Sequence, residues 1–168
     1  MSDFTSGPAD GVFSAEITDG RLHLYLNNSL AALVGGRQWI EAYFKPKALD
    51  PLLFNRIEVV FEEAVANVIR HGFRPRSDQL LFVRARDKAK IIELAFEDEG
   101  VPFDPAAAPL PEAPSSLDAT NIGGLGLTLL RKLSSQVRYE RIEKGKSIRR
   151  VRDRDFAPVN RLILTLAK

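Results

Sequence analysis

Residues 53–72 read LFNRIEVVFEEAVANVIRHG, and the rest of the chain is best understood outward from them. Ile57, Phe61, Ala64, Val65 and Val68 recur at helical spacing and fall on one side of a helical wheel. Glu63, Asn67, Arg70 and His71 cluster on another side. Gly72 is a good C-terminal stop, so the pattern predicts a helix over residues 53–71. Residues four apart are neighbours on a helix surface. The Glu63 carboxylate and the Asn67 carboxamide should therefore project side by side. A carboxamide oxygen is a hard ligand suited to Mg²⁺, and a carboxylate beside it can act as a base or orient water. A solvated helix face fits the same pattern, and this segment alone does not choose between the two. Glu62 points about 100° away on the wheel and ranks below Glu63 as a base.

Downstream, Leu80 to Arg86 and Ile91 to Glu97 read as paired strands joined across Asp87-Lys88-Ala89-Lys90. The second runs directly into Asp98-Glu99-Gly100-Val101-Pro102-Phe103-Asp104-Pro105. An acid at a strand end can accept a hydrogen bond from an exocyclic amine. A glycine two residues on lets backbone and ligand approach closely. A simple Asp-x-Gly turn is the competing reading. Val101 to Asn121 then holds five prolines and no lysine or arginine, the pattern of a long loop. Loops of that length inside a domain commonly carry function. Ile122-Gly123-Gly124-Leu125-Gly126-Leu127 leads into a helix expected over Leu127 to Leu133. Free amides at a helix start bind phosphate well. The cluster is neither a Walker loop nor a dinucleotide-binding fingerprint, so alone it is a weak signal. Val137 to Ile142 and Arg161 to Leu166 read as the last two strands.

Upstream, residues 1–11 are small, polar and rich in turn formers, and read as a loose tail. Between Phe13 and Leu26, Leu22, Leu24 and Leu26 alternate with polar residues, and Asp19-Gly20 marks a hairpin turn. Asn27-Asn28-Ser29 offers cap residues for a helix over Ala31 to Tyr43, and Pro46 and Pro51 break the chain after it. Trp39 and the phenylalanines are assigned to the core, His23 to the surface, and His71 to a helix end. The order β-α-α-β-β-loop-α-β-β groups strands apart from strict βαβ alternation. It predicts an α+β fold: a two-layer α/β sandwich with a mixed, mostly antiparallel sheet and helices on one face.

Composition narrows the function classes. The 168 residues are 45% hydrophobic and 27% charged, enough for one domain with a real core. The absence of cysteine excludes disulfides, a cysteine nucleophile and thiolate metal sites. Two histidines leave little room for a histidine-rich metal site. No run of about 18 uncharged apolar residues suggests a membrane span, and no signal-peptide pattern is visible, so the default expectation is cytoplasmic. A net charge of +2 is too small a bias to argue for nucleic acid.

Taken together, the three segments resemble the GHKL, or histidine kinase-like, ATPase superfamily, over about residues 12–168. Within it, the compact anti-sigma-factor serine kinases match best. Glu63-Ala64-Val65-Ala66-Asn67 with His71-Gly72-Phe73 is similar to their N-box, Asp98-x-Gly100 with Phe103-Asp104-Pro105 to their G1 box, and Gly123-Gly124-x-Gly126-Leu127 to their G2 box. Val137-Arg138-Tyr139-Glu140-Arg141 and Asn160-Arg161-Leu162 also look familial. The resemblance implies ATP and Mg²⁺ as cofactors. Asn67 would ligate Mg²⁺, Asp98 would accept from the adenine amino group, and Gly100 would leave room for the base. Gly123, Gly124 and Gly126 would wrap the phosphates, residues 106–122 would form a lid, and Glu63 would be the general base toward a serine hydroxyl.

The implied partners are a sigma factor and an anti-anti-sigma protein of STAS type, with a homodimer as the implied assembly. The rival reading is a binding module that sequesters its partner in an ATP- or ADP-dependent way and transfers nothing. A histidine kinase catalytic domain is a third reading, and no dimerisation helix with a phosphoacceptor histidine precedes residue 12. One departure stands out. Residues 143–159 are longer than the family's tight hairpin, and Arg141 to Arg154 holds seven basic residues against two acids. This segment is either a solvated loop or a docking surface. The lid carries no cation, leaving Arg131 or Arg70 as candidates for the terminal phosphate.

Overall fold

The computed structural model describes residues 10–72, 79–109, 125–142 and 158–168. Six strands form one sheet: β1 (Val12–Thr18), β2 (Arg21–Asn27), β3 (Leu80–Asp87), β4 (Ile91–Asp98), β5 (Gln136–Ile142) and β6 (Val159–Ala167). The spatial order is β1-β2-β3-β4-β6-β5. All five pairings are antiparallel, so the expected mostly antiparallel sheet is wholly so among the described residues. Three α-helices, α1 (Ala31–Phe44), α2 (Pro51–Asn67) and α3 (Leu125–Leu133), pack on one face. This is the α+β sandwich that the element order predicts.

Alternation decides which face meets the helices. Leu22, Leu24 and Leu26 stand opposite Ala85, Val83 and Leu81, and the row continues through Phe96 and Leu94 to Leu162 and Leu164. These side chains are buried with Ile57, Val60, Phe61 and Val65 of α2 and Ile40 and Phe44 of α1. Each such burial contributes about 1.5–3 kcal/mol. The β1–β2 turn has positive φ at both Asp19 (53°) and Gly20 (70°), the geometry that a two-residue hairpin needs. The Tyr43 hydroxyl donates to the Gly20 carbonyl and pins that turn to α1.

Helix ends depart from expectation in several places, and α3 starts at Leu125 instead of Leu127, so Gly126 lies inside its first turn. Asp50 caps α2 by accepting from the amides of Leu52 (2.9 Å) and Leu53 (3.1 Å), so the helix begins at Pro51. At its other end the α-helix stops at Asn67, and a π-helical turn, Val68–Gly72, completes the path to Gly72. Leu30, not the Asn27-Asn28-Ser29 cluster, occupies the N-cap of α1, and no side chain caps it. There the Ala32 amide is satisfied by the Ser29 backbone carbonyl instead.

The opposite face of the sheet is charged. Glu93 accepts from Arg86 (Nε, 2.9 Å) and Lys88 (2.6 Å), and Arg161 bridges Glu97 (2.7 Å) and Glu140 (3.0 Å). Burial alone would raise the Glu93 pKa, but Lys88 and Arg86 outweigh it and hold the carboxyl below its ordinary value. His23, expected at the surface, is 4% exposed, with its ring 5.8 Å from that of Phe82. Side-chain alternation assigned His23 to this face correctly, but not the degree to which its neighbours close over it. Trp39 is buried as expected, whereas Phe13 and Phe103 are exposed.

Candidate nucleotide-binding cleft

A cleft of about 440 Å³, its open mouth included, lies between the end of α2 and the ends of β4, β5 and β6. Ala64 and Val68 form one wall, and Val101, Phe103 and Pro105 form another. The polar groups converging on it include Asn67, Asp98 and Asn160. A mostly apolar cleft with a few placed polar groups suits a flat heteroaromatic ligand.

Asp98 occupies the last position of β4 and stands opposite Asn160 of β6. It follows Leu94 and Phe96 in the two-residue period, so it points to the helix side, and it is 6% exposed. Its Oδ1 accepts from the Gly100 amide (2.7 Å) and from Asn160 Nδ2 (2.9 Å). The Asn160 amide is itself fixed, because its Oδ1 accepts from the Tyr139 hydroxyl (2.8 Å) and Arg141 Nη1 (2.7 Å). Two donors on Oδ1 leave Nδ2 as the group facing Asp98. Burial raises the Tyr139 pKa, with Arg141 opposing the shift and the Asp98 charge adding to it. Two donors on Oδ1 thus fix the orientation of the Asp98 carboxylate.

Gly100 packs against Gly72, which lines the cleft. The Gly72 carbonyl accepts from the Val101 amide at 2.9 Å. A Cβ on Gly100 would sit 2.2 Å from that carbonyl oxygen, so the contact between the π-helical turn and the loop after β4 requires glycine.

The other end is built differently. Asn67 lies one turn before His71 on the α2 path and lines the cleft, and its Nδ2 is buried with no partner among the described residues. A buried, unpaired amide is uncommon and asks for a ligand. A half-turn of the amide exchanges nitrogen for oxygen, so this position can offer a donor to phosphate or an acceptor to a cation. Glu63 lies a further turn away, beyond the lining of the cleft. It faces the start of α3, where a Cβ on Gly126 would sit 2.2 Å from Glu63 Oε2. Glu62, by contrast, pairs with Arg37 on the α1 side at 3.1 Å, in line with its lower rank as a base.

Of the residues singled out in the sequence, Asn67 and Asp98 line the cleft, Gly100 meets the Gly72 carbonyl, and Glu63 and Gly126 meet each other outside the lining. Gly123 and Gly124 lie outside the described residues, as do most of the lid (106–122), most of the basic segment (143–159) and residues 1–9 of the tail. Tyr139, Arg141 and Asn160 were visible only as members of familial stretches. Their role depends on the register of β6 against β4 and β5, which no local pattern encodes. Among the described residues no group of three or more His, Asp or Glu could hold a metal by itself. An ion at Asn67 would therefore take its remaining ligands from phosphate and water, as Mg²⁺ commonly does. No helix among the described residues is long and apolar enough to cross a membrane.

Residues 26–151 match the family model of the histidine kinase-like ATPase domain. The chain is similar to the serine/threonine-protein kinase BtrW of Bordetella bronchiseptica, at 31% identity over 80 residues, covering 48% of this chain and 56% of that one. It is similar to the anti-sigma F factor of Priestia megaterium, at 30% identity over 98 residues, covering 55% and 65% of the two chains. The anti-sigma F factor of Geobacillus thermodenitrificans is 29% identical over 106 residues, covering 60% and 70%. The matches to the first two thus span between half and two thirds of those relatives. The family is that of an ATPase domain, which implies that the chain binds ATP. By its fold and by the match over most of its length, the chain belongs to the histidine kinase-like ATPase domain family.

Proposed function

We propose that this chain is an ATP-dependent protein serine kinase that also acts as an anti-sigma factor. In this reading it holds a sigma factor and phosphorylates a STAS-type anti-anti-sigma partner, which keeps that partner from displacing it. The observation that carries the reading is the order of groups along one helix path. The Asp98 carboxylate and the Gly72 carbonyl lie at one end, the unpaired Asn67 amide lies next, and Glu63 lies beside the start of α3. At 1.5 Å of rise per residue, Glu63 and Gly72 are separated by roughly 13 Å, a distance suited to a nucleoside triphosphate lying along the helix.

The residues then divide the work. Asp98 accepts from the adenine amino group, which favours adenine over guanine. Asn67 would hold Mg²⁺, which when bound neutralises phosphate charge. Gly126, with Gly123 and Gly124, offers backbone amides to the phosphates. Glu63 takes the proton from the serine hydroxyl. The hydroxyl oxygen forms the new bond to the γ-phosphorus, the bond to the β–γ bridging oxygen breaks, and ADP leaves. Residues 12–168 act as one domain with a lid at 106–122, the basic stretch at 143–159 contributes to partner docking, and two copies form the working unit.

The test pairs the parent and Glu63→Gln with a STAS-type partner and Mg·ATP, read by intact mass of the partner. The expected result is one added phosphate with the parent, none with the variant, and ATP affinities within threefold of each other. Equal transfer by both would remove Glu63 as the base. Partner binding without transfer by the parent would favour the sequestration module.

A further inference from the structure

Arg131 sits in the last turn of α3. Its side chain crosses to the loop after β4. There Nε donates to the Pro105 carbonyl at 2.8 Å, and Nη2 donates to the Ala108 carbonyl. Residues 104–108 form a single closed turn. Asp104 Oδ1 accepts from the amides of Ala106 (2.8 Å) and Ala107 (3.3 Å), and the Ala108 amide donates to the Asp104 carbonyl at 3.0 Å. A carboxylate therefore caps the amide end of the turn, and a guanidinium caps its carbonyl end. Isolated single turns are unstable in water, because one hydrogen bond must offset the ordering of several residues. A cap at each end lets this one persist. The turn carries Pro105, which with the adjacent Phe103 forms a wall of the cleft.

We propose that Arg131 is a positioning residue for the nucleotide: it latches the 104–108 turn to α3 and so sets the cleft wall made by Phe103 and Pro105. This rests on the reading of the cleft as an ATP site. It replaces the sequence-based candidacy of Arg131 as the cation on the terminal phosphate, since a guanidinium fork committed to two carbonyls is not aimed at a phosphate. The wall touches the part of the ligand that ATP and ADP share. Loss of the latch should therefore weaken both nucleotides equally, whereas loss of a phosphate contact would weaken ATP alone.

The experiment is calorimetric titration of Mg·ATP and Mg·ADP into the parent, Arg131→Gln and Arg131→Lys. Amide exchange of Ala106, Ala107 and Ala108 is followed by NMR in the nucleotide-free proteins. The expected result for Arg131→Gln is about tenfold weaker binding of both nucleotides at unchanged stoichiometry, with faster exchange at the three alanines. Arg131→Lys should recover part of both effects. Weakening confined to ATP, unchanged affinities, or reduced stoichiometry at unchanged affinity would each overturn the proposal. If the parent binds neither nucleotide, the reading of the cleft fails. Amide exchange then still decides the latch: unchanged exchange in Arg131→Gln overturns it.

Discussion

The two ends of the cleft are built on opposite principles. At one end, Asp98, Gly100, Tyr139, Arg141 and Asn160 hold one another through hydrogen bonds of 2.7–2.9 Å before any ligand arrives. At the other end, among the described residues, Asn67 Nδ2 has no partner and no ion pair holds Glu63. The first arrangement costs little reorganisation on binding and imposes a fixed pattern of donors and acceptors, which is what selecting one base requires. The second leaves polar groups whose partners must come from outside, which suits a charged ligand carrying its own ion and water.

The contrast can be broken from either side. Asp98→Ala removes the carboxylate and leaves the Gly100 amide without its acceptor, while Asn160 Nδ2 keeps the Gly100 and Val101 carbonyls at 3.2 Å, so ATP affinity should fall about 100-fold by calorimetry. Gly100→Ala acts on the same end through the backbone. Its Cβ meets a carbonyl oxygen that cannot rotate away, so the fold should lose about 2 kcal/mol in denaturant titration, with weaker ATP binding. Asn67→Ala removes one amide, whose Nδ2 has no partner among the described residues. It should weaken Mg·ATP about tenfold and metal-free ADP far less.

Gly126→Ala is the counterpart of Gly100→Ala at the open end. Its Cβ meets the tip of the Glu63 side chain, which can move, so affinity and stability should change little while phosphotransfer falls. Glu93→Gln, on the far face of the sheet, is the control and should leave ATP affinity unchanged. The folded protein holds the Glu93 carboxyl below its ordinary pKa. Its contribution to stability is therefore present above that ordinary value and is lost as pH falls through the depressed one. Parent and variant should differ in stability by about 1–2 kcal/mol at pH 7 and converge in acid.

What could be read from the sequence follows from range. The Leu22-Leu24-Leu26 alternation, the Asp19-Gly20 turn and the amphipathic α2 are local patterns, and each predicted its element. Asp98 and Asn67 could be singled out because they sit at fixed offsets from a strand end and along a helix. Asn160 and Tyr139 could not be given roles, because they act through pairings across sequence separations of 62 and 21 residues. The same limit explains His23, whose face was legible but whose burial depends on side chains from a neighbouring strand. It also explains Arg131, whose carbonyl partners lie more than 20 residues upstream. The uncapped start of α1 shows the reverse case, in which good cap residues were present and the backbone satisfied the helix without them.

The central claim is that one cleft, between the end of α2 and the ends of β4 and β6, takes the nucleotide. NMR mapping of backbone amides on addition of Mg·ATP tests it most directly. The account predicts the largest shifts at Asn67, Gly72, Gly100 and Asn160, with none at Glu93 or Thr165 on the far face. Shifts centred on the far face, with Asn67 and Gly100 unmoved at saturating nucleotide, would contradict it.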